Sequence, residues 1–175
     1  MHRPFVKHSP ISHELWVDRM HREGQPGTEV HLSQLYRDTI VRHARNPKGT
    51  MPIGTAQIQR DGYNPKCGDE LLLRLRLKDG DTDPIIEAAQ VEVHGCTICR
   101  ASGSLLWPHL TGSRISECQT KLTRFREMFT DSNPDTALLE EAAILQSVAA
   151  FPARIDCALL PWTTVEAAFR AWSKP

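Results

Sequence analysis

The sequence predicts an α+β domain: an N-terminal helix, a three-stranded antiparallel sheet, then a set of C-terminal helices packed on it. Three observations carry this. In the run Leu71-Leu72-Leu73-Arg74-Leu75-Arg76-Leu77, leucines 71, 73, 75 and 77 share one face and Arg74 and Arg76 the other, the period of a half-buried strand. Lys78-Asp79-Gly80-Asp81 follows as a hairpin turn, which sends the next strand back antiparallel. Ile115, Cys118, Leu122, Phe125 and Phe129, and later Trp162, Val165, Phe169 and Trp172, recur at helical steps.

The elements follow in order. Residues 1–30 read as a flexible or loosely docked extension with room for a short helix near 11–21. They hold His2, His8, His13 and His21 without regular spacing, and end in the turn-prone Glu23-Gly24-Gln25-Pro26-Gly27. The folded domain is expected over 31–175. Leu32, Leu35, Tyr36, Ile40 and His43 lie on one helical stripe, stopped by Asn46-Pro47-Lys48-Gly49. A first strand is expected at 53–60, closed by Asp61-Gly62. A long loop then runs from Asp61 to Glu70, and long loops inside compact domains are often functional. The third strand spans about 85–94, with Ala89, Val91 and Val93 inward and Gln90, Glu92 and His94 outward. Helices are expected at 98–110, at 114–129, from Asn133-Pro134 to about 147, and from Leu160-Pro161 onward.

Composition narrows the function. The 175 residues carry 21 Lys+Arg against 21 Asp+Glu, a formal charge of zero. That balance argues against nucleic acid or an anionic membrane as a partner held by charge. No apolar stretch reaches membrane-spanning length. The first twenty residues lack the apolar block of a secretory signal, and Glu14 and Asp18 do not suit a mitochondrial presequence, so a cytoplasmic chain is expected. Five cysteines, unevenly spaced, suit metal or thiol chemistry rather than a disulfide framework. There is no serine elbow, phosphate loop or HExxH motif.

Three of those cysteines stand at expected element boundaries. Cys67 lies in the loop between the first two strands. Cys96 ends the third strand ahead of a helix, whose N-terminus favours a thiolate. Cys157 sits in Phe151-Pro152-Ala153-Arg154-Ile155-Asp156-Cys157, just before the last helix. Entering from three loops, they can converge at one end of the sheet. Asp69, two residues after Cys67 and past Gly68, can complete a four-ligand zinc site, and Arg154 can offset its negative charge. The alternative for the cluster is a set of ordinary buried thiols. Cys96-Thr97-Ile98-Cys99 is a C-x-x-C, but no second pair completes a zinc ribbon, so Cys99 reads as helix packing or a thiol beside the site. Cys118 falls on an apolar helix face and reads as core. His94, beside Glu92, reads as surface.

Four ordered segments carry a resemblance: LYRDTIVRHARNPKG at 35–49, NPKCGDELLL at 64–73, VEVHGCTICRASGSLL at 91–106 and FPARIDC at 151–157. Together they resemble the U-type iron–sulfur cluster assembly proteins, the IscU and NifU-like family, over about 31–172. The long spacer from Cys96 to Cys157, Asp156 where IscU proteins carry a histidine immediately before the last cysteine, and the preceding FPARI resemble the SufU branch.

The resemblance implies that Cys67, Asp69, Cys96 and Cys157 occupy zinc-ligand positions. It implies a zinc-dependent sulfurtransferase serving a SufS-type cysteine desulfurase, with Cys67 as both ligand and sulfur acceptor, Arg154 in support, and a downstream iron–sulfur scaffold as recipient. In the mechanism proposed for the family, a desulfurase histidine replaces the first motif cysteine on zinc and frees it to take sulfur. The alternatives are a scaffold for a transient [2Fe–2S] cluster, or iron, on Cys67, Cys96 and Cys157, and a non-catalytic zinc-stabilised binding module. Three positions depart from the family pattern. Cys99 adds a thiol that could take sulfur or bind iron. Asp156 could compete with Asp69 as the oxygen ligand. Pro161 is expected to delay the last helix and shift Cys157.

Overall fold

The structure, a computed structural model, describes residues 26–78 and 82–172. The expected short helix near 11–21 and the Lys78–Asp81 hairpin turn's central residues lie outside them. By internal contacts the chain divides into Met1–Leu35 and Tyr36–Pro175, and the second unit carries the sheet and the cysteines. The described part of the first unit is helical.

Helix α1 is described over Pro26–Arg45, so it already includes Pro26 and Gly27 of the EGQPG segment. Three antiparallel strands follow in spatial order β1-β2-β3: β1 (Ile58–Asn64), β2 (Asp69–Leu77) and β3 (Ile86–His94). Ile58 pairs with Leu75 and Gly62 with Leu71, while Leu71 pairs with Val93 and Leu75 with Ala89. Leucines 71, 73, 75 and 77 are buried together with Val91 and Ala89, as the alternation requires. On the other face Gln90 is buried rather than wet, and its amide donates to Glu92. From the same face Arg76 donates to the Ile53 carbonyl.

The first strand lies several residues later than its sequence suggests. Gly62 sits inside β1, because a Cβ there would collide with Thr164 Oγ1 of the last helix. The glycine marks a close helix–strand contact, not a turn. The expected long loop therefore shrinks to a four-residue turn, Pro65–Gly68, and Asp69 becomes the first residue of β2.

Helix α2 (Thr97–Leu106) starts directly after β3 and leads through a 3₁₀ turn at Trp107–His109 to α3 (Ile115–Glu127). Ile115, Cys118, Leu122 and Phe125 form the buried stripe of α3. The helix expected from Asn133-Pro134 forms instead as 3₁₀ turns over Ala137–Ala150, kinked at Glu140, whose φ is +48°. Asp131 and Asp135 each accept a backbone N–H two residues on, from Asn133 and Ala137, and so hold the approach in turns.

Helix α4 covers Pro152–Ala171 and passes through Pro161 without stopping. An interior proline removes one helical hydrogen bond, here to the Cys157 carbonyl, and costs about 3 kcal/mol. Burial of Leu160, Trp162, Val165 and Phe169 around it offsets that cost. Trp162 stacks on Phe125 at a centroid distance of 3.8 Å, joining α4 to α3 in the core. Among the described residues no helix is long and apolar enough to cross a membrane.

Candidate metal centre

The β1–β2 turn, the β3–α2 junction and the second turn of α4 meet at one end of the sheet. Cys67 is half-buried on the turn, while Asp69 and Cys157 are fully buried. Cys157 thus enters from inside a helix, and Asp69 from a strand, so only part of the set is mounted on loops. One ligand atom from each of Cys67, Asp69 and Cys157 lies within 4.8 Å of the others. Cys96 stands at the flank, its Sγ 3.9 Å from Asp69 Oδ2. Cys157 Sγ lies 3.2 Å from Cys67 Sγ.

Asp69 is the organiser. The Cys96 backbone N–H donates to its Oδ1 at 2.7 Å and Asn64 Nδ2 to its Oδ2 at 3.1 Å. Burial works against its charge, but the Cys96, Cys157 and Asn64 hydrogen bonds together hold the carboxyl below its usual range. Gly95 gives Asp69 its space, since a Cβ there would lie 2.9 Å from Asp69 Cβ and Cγ. Cys96 caps α2 in extended conformation, and its Sγ accepts the Cys99 N–H at 3.5 Å. A thiolate there faces the positive end of a helix.

Arg154 Nη1 donates to Cys67 Sγ at 3.0 Å, which places the expected supporting cation on the expected cysteine. Cys99 behaves differently. Its side chain is fully buried, and burial together with the Asp69 charge pushes its thiol up, so it meets the site through its backbone. Asp156 points to Lys66 Nζ at 2.6 Å and stays outside the donor cluster. Cys118 is core, its thiol pushed up to about 12 by burial. His94 is exposed and paired with Glu92.

Asn64, overlooked in the sequence, holds the site together. Its Nδ2 reaches Cys157 Sγ at 3.4 Å as well as Asp69, and its Oδ1 takes the Lys66 N–H at 3.2 Å. Its backbone carbonyl accepts from both Cys67 and Gly68. The Asn-Pro pair was a legible turn signal, but nothing local says that the amide would face a buried carboxylate.

The donor set suits zinc, which takes thiolate sulfur with carboxylate oxygen in a closed tetrahedral site. Cys67, Asp69 and Cys157 bring donor atoms within reach of one ion, and Cys96 flanks them. Burial, with hydrogen bonds to Cys67 and Asp69, pushes the Cys157 thiol up.

A family model described as "NifU-like N terminal domain" matches residues 35–170. The zinc-dependent sulfurtransferase SufU of Bacillus subtilis is 36% identical over 78% of this chain and 90% of its own length. The iron–sulfur cluster assembly scaffold protein IscU of Thermotoga maritima is 29% identical over 82% of this chain and 99% of its own. A crystal structure from Fervidobacterium islandicum, described as a candidate iron–sulfur cluster assembly scaffold protein for the SUF system, superposes with a TM-score of 0.66. It is 29% identical and covers 74% of this chain and 93% of its own. The chain belongs to the NifU-like N-terminal domain family of iron–sulfur cluster assembly proteins.

Proposed function

We propose that this NifU-like chain is a zinc-dependent sulfurtransferase of the SufU type, carried by residues 31–175. It accepts persulfide sulfur on Cys67 from a SufS-type cysteine desulfurase and passes it to a downstream iron–sulfur scaffold. The observation that supports this most is the unequal mounting of the candidate ligands. Asp69 and Cys157 are buried in a strand and a helix, and Cys96 caps a helix. Cys67 alone sits on an exposed turn, with a guanidinium on its sulfur. Five cysteines without a disulfide fit a reducing compartment.

Zinc, when bound, supplies a redox-inert charge that keeps the thiolates deprotonated at neutral pH. The chain's own residues do the rest. Asp69 and Asn64 order the base of the site. Arg154 stabilises the Cys67 thiolate until a partner's persulfide arrives. The Cys67 thiolate then attacks the outer sulfur of the persulfide. A sulfur–sulfur bond forms on Cys67, the bond within the donor persulfide breaks, and the desulfurase cysteine leaves as a thiolate. No external oxidant is required.

Desulfurase turnover measured with and without this protein tests the reading. Zinc-loaded wild type is expected to stimulate turnover and to carry one added sulfur on the Cys67 peptide by mass spectrometry. Cys67→Ala is expected to abolish both. Full stimulation by Cys67→Ala would sink the proposal. A stable cluster after anaerobic reconstitution, with no zinc as purified, would favour the scaffold reading instead.

A further inference from the structure

The turn that carries Cys67 is tied to α4 by more than its sulfur. Lys66 directly precedes Cys67, and Asp156 directly precedes Cys157. Their side chains meet at 2.6 Å, so an ion pair runs beside the two cysteines, one residue back in each segment. Both partners are exposed, at 73% and 51% of their side-chain surface. Apart from the Cys67–Cys157 sulfur contact at 3.2 Å, the turn has little else to hold it against the helix. Pro65, Lys66 and Gly68 are exposed, and a Cβ at Gly68 would meet nothing within 4 Å. Its backbone hydrogen bonds go to Asn64, within its own hairpin. Across the gap to α4, the side-chain links beside the Cys67–Cys157 sulfur contact are Arg154 on Cys67 and Lys66 on Asp156.

We propose that the Lys66–Asp156 ion pair is a strap that sets how readily the Cys67 turn swings away from α4 toward a partner. The inference rests on the reading of Cys67 as the sulfur acceptor. The Lys66–Asp156 pair does not involve the Cys67 sulfur, so it is a tether that persists when that sulfur leaves the donor cluster. Neither Lys66 nor Asp156 touches the reacting sulfur, so both are positioning residues. An exposed pair of this kind changes an equilibrium by about 1.4- to 5-fold, which tunes presentation without locking it. Opening the strap also frees one cation and one carboxylate for opposite charges on the docking protein.

The test is the rate at which uncharged iodoacetamide alkylates Cys67 in the zinc-loaded full chain, read from the Cys67 peptide. Lys66→Gln and Asp156→Asn are each expected to raise the rate about 1.4- to 5-fold, and the double variant no further than either. Salt is expected to raise the wild-type rate by a larger factor than that of the variants, which keep only the Arg154–Cys67 contact to be screened. The exchanged pair, Lys66→Asp with Asp156→Lys, is expected to return the wild-type rate. A mere through-space effect on the thiol would move the two single variants in opposite directions, and that result overturns the strap. So does a wild-type rate indifferent to salt, or loss of zinc from the single variants. No sulfur transfer is needed for this measurement. A chain with the strap pattern that fails to stimulate a desulfurase sinks the sulfurtransferase reading alone. A chain that stimulates it but lacks the pattern sinks the strap alone.

Discussion

His43 shows how one side chain sets the conditions under which the fold is stable. Its Nδ1 lies 2.8 Å from Ser104 Oγ, which already accepts the Lys48 N–H at 2.9 Å. A neutral ring with Nδ1 accepting the serine proton and Nε2–H donating to Glu141 at 3.2 Å satisfies both contacts. Burial holds His43 below its usual range although Glu141 works the other way, and burial does the same for His109 against Trp162. An unfolded histidine titrates near about 6.5. Above that pH both states are neutral and no penalty arises. Below it the unfolded chain takes the proton first, and stability falls until the pH passes the folded value. The urea midpoint of the metal-free protein is expected to drop between pH 7.5 and pH 5.5, at a slope of at most about 1.4 kcal/mol per pH unit for each histidine. His43→Gln is expected to remove part of that drop. An unchanged midpoint in wild type would show that neither ring is held neutral.

Among elements, the contact between β1 and α4 places the site. It brings the β1–β2 turn beside the helix turn that carries Cys157, and it depends on a glycine. At Gly62 a side chain would meet Thr164 Oγ1, with Leu160 Cδ1 at 3.3 Å behind it. Gly62→Ala is therefore expected to destabilise the domain by about 1–3 kcal/mol, the usual cost of overpacking. Adding Thr164→Ala removes the obstructing oxygen and is expected to recover part of the loss, a coupling that a double-mutant cycle on urea midpoints would measure. Strict additivity would mean that the two residues do not meet. The same contact shows what a local reading misses. Asp61-Gly62 and Leu160-Pro161 both look like breakpoints, yet the strand runs through the first and the helix through the second. Local propensities of a few kcal/mol yield to the burial of whole faces.

For the whole molecule, the donor cluster joins segments far apart in sequence: the β1–β2 turn, the start of α2 and the first turns of α4. A metal bound there is bound only by the folded chain, so its free energy adds to that of folding. Chelation of the purified protein is expected to lower its thermal midpoint, and added zinc to restore it. At a free zinc concentration a hundredfold above its dissociation constant, the gain is about 2.7 kcal/mol. A midpoint indifferent to both chelator and zinc would separate the cluster from metal binding. The unequal mounting of the donors makes a further difference in kind. Asp69→Ala is expected to lower stability and metal content together, because it strips the partner of the Cys96 N–H and of Asn64.

The class of fold, the order of its elements, the leucine face of β2 and the stripe of α3 follow from the sequence alone, because periodicity along a chain reports which side of an element meets water. The sequence also marked Cys67, Asp69, Cys96 and Cys157 as candidates, through their neighbours and the resemblance they carry. Only the tertiary structure decided how each ligand is mounted. It made Asp69 a buried strand residue and Cys157 a helical one, gave Asn64 its buried partners, and turned Asp156 from a candidate ligand into the partner of Lys66. These depend on contacts between residues about ninety positions apart, and no local preference along the chain encodes a distance across it.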